Sequence, residues 1–213
     1  MNELIQFLRT IDEQLFMYTQ EYGLTIYLVI FAIVYSKTAF VVLAFLPGDS
    51  LTFASGTLAA TQMLDLPLLF FLIFCAAVVG DSQNYWLGKL FRKLPYKTTV
   101  TYRLIPADTI NYAQQSLQQF DSTIITFSRF VPMMRVFIPF SAGYSDIQYT
   151  RFLRFNVIGA FFWTSAWLGS GFILGNIPFV QQNIALTLLI ITLLMIIISL
   201  TAYLRQSLRN RLS

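Results

Sequence analysis

Two arginines lie in an otherwise apolar stretch of this chain. Residues 128–143 read SRFVPMMRVFIPFSAG, which places Arg129 and Arg135 among phenylalanine, valine, methionine, isoleucine and proline. An arginine near the centre of a bilayer costs at least about 2.5–3.5 kcal/mol, so each one needs an anionic partner, a water-filled cavity or a ligand. Arginine also binds phosphate oxygens in pairs through its planar fork and stays charged when buried. The stretch therefore predicts a site for an anionic substrate.

Three more charged side chains occupy apolar surroundings. Lys37 lies inside the first long apolar stretch, Asp49 follows a Pro-Gly pair, and Asp81 lies within a later apolar span. With the two arginines, they make a set of three cations and two carboxylates. The formal excess of one positive charge suits a single anionic head group.

Prolines interrupt the stretches that carry these charges. A proline removes a backbone donor and disturbs a straight helix, and Pro-Gly is a turn signal. Interrupted backbone at membrane depth survives only where protein buries it or where it lines a cavity. We therefore predict two re-entrant helical hairpins, near residues 37–63 and 121–143. A plain extramembrane turn capped by Asp49 is the alternative for the first. The residues predicted to break the hairpins are Pro47, Gly48, Pro132 and Pro139.

The composition favours a membrane protein. Of the 213 residues, 56% are hydrophobic and 11% are charged, whereas soluble domains carry about 25% charged residues. The apolar residues fall in spans of bilayer length, and most basic residues flank those spans, which indicates topology rather than nucleic-acid binding. We predict an all-α integral membrane protein with about four transmembrane helices. The predicted spans are residues 22–46, 66–91, 156–175 and 184–203.

The parts of the chain that flank the central domain have patterns of their own. Residues 1–21 carry apolar side chains at helical spacing with charges between them, which predicts an amphipathic helix on the membrane surface. We assign residues 22–178 to a membrane domain and residues 179–213 to a C-terminal transmembrane helix with a basic tail. Five basic residues fall within residues 89–103, and by the positive-inside bias this loop and both termini are cytoplasmic.

Several kinds of chemistry are missing from the sequence. The chain has no histidine and one cysteine, Cys75. Histidine-dependent triads, histidine metal sites and the histidine nucleophile of integral lipid phosphatases are therefore unavailable. A single cysteine provides neither a disulfide framework nor a cysteine-based metal site. We expect no enzymatic activity, no cofactor and no metal.

Two units of the chain share one plan. The first joins the broken stretch 45–56 to the span that holds Asp81, and the second joins residues 129–143 to the span that begins at Asn156. On the predicted topology the broken stretches enter the membrane from opposite sides. Facing broken segments of this kind form the midplane sites of secondary transporters. The plan therefore predicts an inverted repeat.

Small and polar residues mark the faces expected to pack inside the protein. Asp81, Asn84, Tyr85 and Gly88 recur at a helical spacing, so they form one stripe that should face the interior. The span 156–175 is rich in glycine, which lets helices approach closely and would permit a homodimer.

Four stretches of the chain occur together in a recognisable order. They are FLPGDSLTFASG, GDSQNYWLGK, SRFVPMMRVFIPFSAG and RFNVIGAFFWTSAWLGSGFILG, within residues 25–178. Together they resemble the bacterial DedA family, also called the SNARE-associated or VTT-domain superfamily. The resemblance implies two facing re-entrant hairpins and the movement of lipids across the bacterial cytoplasmic membrane. The resemblance also implies functional roles for Asp49, Arg129 and Arg135.

One position departs from the family pattern. Family members discussed as proton-coupled carry a glutamate twelve positions before the functional aspartate, where this chain has Lys37. A lysine reverses the charge, so proton coupling would fall to Asp49 or Asp81. Lys37 would instead pair with Asp49 or add a third cation for phosphate.

The resemblance and the arginines together predict a translocase for a lipid phosphate, with undecaprenyl phosphate as the leading substrate. The expected phosphate-binding residues are Arg129, Arg135 and Lys37. Asp49 and Asp81 are the expected charge-pairing or proton-coupling residues. A phosphatidylethanolamine flippase, an energy-independent scramblase and a small-ion transporter are the alternatives. In a further alternative, the arginines only brace the two hairpins through the aspartates.

Overall fold

The computed structural model describes residues 23–40, 48–93, 115, 117, 123–131, 134–178, 180, 186 and 190. Its helices are α1 (Leu24–Ala39), α2 (Gly48–Ala60), α3 (Leu66–Lys93), α4 (Thr123–Phe127), α5 (Met134–Tyr144) and α6 (Tyr149–Gly175), with a 3-10 turn at Ser128–Phe130. None of the described residues lies in a β-strand, so the prediction of an all-α protein is confirmed for this part of the chain. The predicted amphipathic helix, Pro47 and Pro132 lie outside the described residues, as does the C-terminal span except for residues 186 and 190.

Helices α3 and α6 are long and apolar enough to cross a membrane. They contain 28 and 27 residues, and at about 1.5 Å per residue each exceeds the roughly 30 Å hydrocarbon core. Only 33% of each apolar window is buried inside the protein. Much of the remaining surface is apolar, and Phe71 and Phe162 are more than half exposed. Such outward faces suit contact with lipid tails.

Two predicted spans differ from the helices found. Helix α1 has 16 residues and ends at Ala39, so among the described residues the predicted span 22–46 is helical over only part of its length. Helix α6 begins at Tyr149, before the predicted start at residue 156. Its first turns contain Arg151 and Arg154, which are exposed and favour helix, so the helix extends beyond its apolar portion.

Helix α5 continues through Pro139. The prediction that Pro139 breaks the segment is therefore wrong. The proline removes the hydrogen bond that its backbone nitrogen would donate to the carbonyl of Arg135. Every residue from Arg135 to Gly143 is buried, and tertiary packing of this kind lets membrane helices tolerate an internal proline.

The short helices α2 and α5 end in the same kind of turn. Gln62 and Asp146, each two residues beyond the helix end, have positive φ angles of 60° and 61°. In each turn the next residue donates its N–H to the carbonyl five positions earlier, at 3.1 Å for Leu58 and 3.0 Å for Ala142. These are the long bonds of Schellman motifs. The chain thus repeats a short helix, a Schellman turn and a long helix.

The chain divides into two compact units. One consists of residues 1–23, 49–66 and 167–213, and the other of residues 24–48 and 67–166. The first, here called the α2 unit, holds α2 and the C-terminal end of α6. The second, the α3 unit, holds α1, α4, α5, nearly all of α3 and the N-terminal two-thirds of α6.

Glycines bring α2 and α6 into backbone contact within the α2 unit. A Cβ atom added to Gly56 would lie 2.2 Å from the carbonyl oxygen of Leu168, and one added to Gly171 would lie 2.1 Å from that of Phe53. In each helix the contacted carbonyl lies three residues before the glycine, so the contact is reciprocal. Thr57 Oγ1 also donates to the carbonyl of Gly171 at 3.4 Å. No larger residue fits at these two positions without separating the helices.

Helices α3 and α5 repeat this arrangement within the α3 unit. A Cβ atom added to Gly88 would lie 2.0 Å from the carbonyl oxygen of Phe140, and one added to Gly143 would lie 1.9 Å from that of Tyr85. The spacing of three residues is the same. The short helix of each repeat therefore packs backbone to backbone against the long helix of the other repeat.

Polar contacts fasten the end of α3 to the turn between α5 and α6. The carboxylate of Asp146 accepts from Nη1 of Arg92 at 2.7 Å, and Nζ of Lys89 lies 3.9 Å away. Tyr85 donates its hydroxyl to the carbonyl of Ile147 at 2.5 Å. The hydrogen bond from Arg92 lowers the pKa of Asp146 below its usual value. These contacts place the basic end of α3 and the start of α6 on the same side of the protein.

Candidate functional site

A buried ion pair lies in the middle of α3. Oδ2 of Asp81 is 2.6 Å from Nη2 of Arg129, and the two side chains are 3% and 1% exposed. Water cannot screen a pair at this depth, so removing one partner would leave an uncompensated buried charge, which typically costs about 3–5 kcal/mol. The structure therefore satisfies one of the two costly arginines with a carboxylate from a different helix.

An asparagine completes the surroundings of Arg129. Nη2 of Arg129 also donates to Oδ1 of Asn156 at 2.5 Å and, more weakly, to the carbonyl of Ala77 at 3.4 Å. Nδ2 of Asn156 donates to the carbonyl of Val78 at 3.1 Å. Asn156 thus connects α6 to both the arginine and the backbone of α3. We refer to Asp81, Arg129 and Asn156 as the buried triad.

The local fold brings Arg129 to this place through a glycine. Arg129 lies in the 3-10 turn that follows α4. A Cβ atom added to Gly159 would lie 2.9 Å from Cα of Thr126 and 3.3 Å from Cδ of Arg129. Oγ1 of Thr126 donates to the carbonyl of Phe155 at 3.0 Å. Because position 159 has no side chain, α4 and the turn lie close enough to α6 for the arginine to reach Asn156.

The second arginine stacks on a tryptophan. The guanidinium of Arg135 lies 4.8 Å from the centre of the Trp163 ring, which is a cation–π distance. Arg135 is buried and interacts electrostatically with Asp81 and Arg129. Asn156 and Trp163 are seven residues apart, so they lie on the same face of α6. One face of α6 therefore receives both arginines.

The polar stripe predicted on α3 faces the interior. Asp81, Asn84, Tyr85 and Gly88 are all buried, which confirms that prediction. Nδ2 of Asn84 donates to the carbonyl of Val136 at 2.6 Å and so links α3 to α5. The stripe serves two purposes, since Asp81 holds an arginine and the other residues attach α5.

The remaining predicted site residues lie in both units. Lys37 is buried in the last turn of α1, within the α3 unit, where the neighbouring Thr38 packs against Gly80. Asp49 is half-buried in the first turn of α2 and belongs to the α2 unit. The α3 unit therefore brings together Asp81, Arg129 and Arg135. The functional roles of Lys37 and Asp49 stay predictions.

Asn156 and Trp163 were absent from the predicted site. Their signal in the sequence was weak: an amide among apolar residues and a tryptophan two turns later on the same helical face.

Within the described residues, no group of three or more histidine, cysteine, aspartate or glutamate side chains could hold a metal ion.

Comparison with known proteins assigns the chain to a family. A family model described as the VTT domain matches residues 46–173. The chain is 36% identical over 185 residues to Protein DedA of Escherichia coli K12, covering 86% of this chain and 84% of that relative. The chain belongs to the DedA family of VTT-domain membrane proteins. The predicted family resemblance is thereby confirmed.

Other DedA-family relatives are also named as membrane proteins. The chain is 30% identical over 166 residues to the inner membrane protein YghB of Escherichia coli K12, covering 74% of this chain and 72% of the relative. It is 32% identical over 139 residues to an uncharacterized membrane protein of Mycobacterium leprae, covering 65% and 62%. The solved structures include no significant match. The VTT-domain match includes the buried triad, Arg135 and Asp49, whereas Lys37 lies before it.

Proposed function

We propose that this DedA-family protein translocates an anionic lipid phosphate, with undecaprenyl phosphate as the leading substrate. The observation that carries the proposal is an excess of buried positive charge. Among the described residues, the buried charged side chains are Lys37, Arg129 and Arg135 against Asp81. All four lie in the α3 unit, whose described residues therefore carry an excess of two buried positive charges. A phosphate head group would compensate such an excess.

Arginine suits this role for two reasons. A guanidinium keeps its charge when buried, and its fork matches the geometry of phosphate oxygens. A lipid phosphate can keep its hydrocarbon tail in the bilayer while only the head group exchanges water for the arginines. In the proposed cycle, the phosphate replaces interactions that Arg129 and Arg135 make within the protein. The bound phosphate then offsets the excess of buried positive charge.

The proposed arrangement in the membrane follows the sequence prediction. Residues near 37–63 and 121–143 form facing re-entrant hairpins among about four spans, and both termini lie in the cytoplasm. The contact between Asp146 and Arg92 supports one part of this topology, because it keeps two basic segments on the same side. The name of the relative YghB supports location in the bacterial inner membrane.

Transport into liposomes tests the proposal. Purified protein would be reconstituted with labelled undecaprenyl phosphate or labelled phosphatidylethanolamine, with and without a pH gradient. We expect undecaprenyl phosphate to move faster than phosphatidylethanolamine, and Arg129→Ala and Arg135→Ala to abolish that movement. Arg154→Ala is the matched control, because Arg154 is exposed on α6. We expect this variant to transport normally.

Loss of Arg129 alone would leave Asp81 charged and buried, so a folding defect must be separated from a transport defect. The double variant Asp81→Ala/Arg129→Ala removes both charges and should fold, yet it should not transport. Normal transport by both single arginine variants would refute the proposal. Equal rates for both lipids would instead indicate a non-selective scramblase, and release of inorganic phosphate would indicate an enzyme.

A further inference from the structure

We infer that Asn156 is a positioning residue that occupies one binding edge of Arg129 until a phosphate oxygen takes its place. The inference rests on the proposed function, and it concerns how the substrate gains access to Arg129. Asn156 lies in the fourth family motif, but the sequence alone assigned it no role.

The hydrogen bonds of Arg129 are concentrated on one nitrogen. Nη2 carries two hydrogens and faces Oδ2 of Asp81 at 2.6 Å, Oδ1 of Asn156 at 2.5 Å and, more weakly, the carbonyl of Ala77 at 3.4 Å. Among the described residues, Nε and Nη1 of Arg129 have no hydrogen-bond partner although both are buried. Nη2 is therefore saturated, whereas the other two nitrogens keep unused donors.

Because of the geometry of a guanidinium, the occupied hydrogens of Nη2 limit how Arg129 can bind a phosphate. A guanidinium can bind an oxyanion with two parallel hydrogen bonds along two of its edges, one formed by Nε and Nη2 and the other by Nη1 and Nη2. Cδ covers the third side, between Nε and Nη1. Both edges include Nη2. A forked interaction between Arg129 and a phosphate therefore requires Asp81 or Asn156 to release Nη2.

Asn156 is the partner that can be exchanged. Hydrogen bonds between two charged groups are stronger than those with a single charged partner, so the carboxylate of Asp81 holds Nη2 more tightly than the amide does. The amide is fixed in orientation, because Nδ2 donates to the carbonyl of Val78 at 3.1 Å and Oδ1 must therefore face the arginine. A phosphate oxygen, which is anionic, competes well with this neutral acceptor. Asp81 would keep its ion pair throughout the exchange.

Two substitutions at position 156 separate exchange from a structural role. Asn156→Asp gives Arg129 two anionic partners, so phosphate should no longer displace one of them at neutral pH. Asn156→Ala leaves that Nη2 hydrogen only the long 3.4 Å contact with the carbonyl of Ala77, so phosphate binding should persist. If Asn156 only supported the fold, both variants would fail alike. Since a hydrogen bond to a charged group shifts an equilibrium by about 10- to 100-fold, we expect the half-saturating phosphate concentration to rise by this factor in Asn156→Asp.

Acidic pH should restore binding in the aspartate variant. Among the described residues, the charged groups at the triad are Asp81 on α3 and Arg129 on the 3-10 turn. Arg135 on α5 and Lys37 on α1 are buried in the same unit. Protonation turns the introduced aspartate into a neutral acid of the same shape as the amide. We therefore expect the defect relative to wild type to shrink between about pH 7.5 and about pH 5.5, because burial and the carboxylate of Asp81 favour the neutral acid against the opposing effect of Arg129. Asn84→Asp is the matched control, because Asn84 is buried in the same unit and bonds the carbonyl of Val136.

The experiment has one measurement for each hypothesis. Inorganic phosphate is titrated against the detergent-solubilised variants, and the unfolding temperature reports anion binding at Arg129. Movement of labelled undecaprenyl phosphate in liposomes reports lipid translocation. The inference predicts that phosphate stabilises wild type and Asn156→Ala, and stabilises Asn156→Asp only at acidic pH.

The two hypotheses fail in different ways. If phosphate shows this pattern but no lipid moves, the proposed function is wrong and the inference stands. If wild type moves the lipid but Asn156→Asp responds to phosphate as wild type does, the inference is wrong and the proposed function stands. The inference is also overturned if phosphate fails to stabilise wild type, if Asn156→Ala behaves like Asn156→Asp, or if Asn84→Asp shows the same dependence on pH.

Discussion

Helix α6 contains two glycines, two residues apart, that should respond oppositely to the same substitution. A Cβ atom at Gly171 would lie 2.1 Å from the carbonyl oxygen of Phe53, whereas a Cβ atom at Gly169 would have no atom within 4 Å. Ordinary contact between a carbon and a carbonyl oxygen requires about 3.3 Å, so Gly171→Ala must separate α2 from α6 by about 1 Å. Gly169→Ala requires no movement.

Gly169→Ala and Gly171→Ala should change the free energy of unfolding in opposite directions. Replacing glycine by alanine inside a helix stabilises it by about 1 kcal/mol, and we expect this gain, or a smaller one, for Gly169→Ala. Overpacking costs about 1–3 kcal/mol and more where the obstacle is backbone. The separation would also lengthen the hydrogen bond from Thr57 to the carbonyl of Gly171, which is already 3.4 Å long. The net change for Gly171→Ala should therefore be a loss of about 1–2 kcal/mol or more.

Unfolding in mixed micelles measures the difference. Each purified variant would be titrated with a denaturing detergent, and the free energy of unfolding would be compared with that of wild type. Helix content before the titration shows whether each variant is folded. The reasoning about backbone contact is refuted if Gly169→Ala and Gly171→Ala change the free energy equally.

Two further predictions use the same measurement. Asp81→Asn should destabilise the protein by about 3–5 kcal/mol, because Arg129 keeps its charge but loses its carboxylate partner. The double variant Asp81→Leu/Arg129→Leu should lose less stability than either single leucine variant. If the losses of the two single variants simply add in the double variant, the ion pair is uncoupled. For Asp146, whose pKa is lowered by Arg92, the stabilisation is present above the pKa of the unfolded chain and is lost as pH falls through the lower folded pKa. Below about pH 4, wild type should therefore lose more stability than Asp146→Asn. Asparagine is a suitable replacement because it tolerates the positive φ angle of 61° at this position. Equal losses of stability in the two proteins would contradict the contribution of this carboxylate.

Local patterns in the sequence were sufficient for several features of the fold. The three- and four-residue spacing of Asp81, Asn84 and Tyr85 placed them on one buried face, because helical geometry alone fixes which side chains share a face. The membrane character followed from long apolar spans, and the family followed from four ordered motifs. These inferences depend on residues close together in the chain.

Features that depend on contacts between distant residues could not be predicted in the same way. The sequence left open which carboxylate meets which arginine, and the structure pairs Arg129 with Asp81, 48 residues earlier in the chain. Pro139 was predicted to break the helix because it removes a local hydrogen bond, but the burial of all of its neighbours outweighs that effect. Asn156 resembled an isolated polar residue in a span because its partners lie on α3 and on the 3-10 turn. Periodicity gives the faces of helices but not their partners.

The crosswise glycine contacts have a consequence for how the chain is divided. Each short helix finds its backbone-contact partner in the long helix of the opposite repeat, so neither half of the sequence contains a complete set of partners. Two separate copies of one repeat could satisfy the same contacts only by exchanging their short helices, as domain-swapped dimers do.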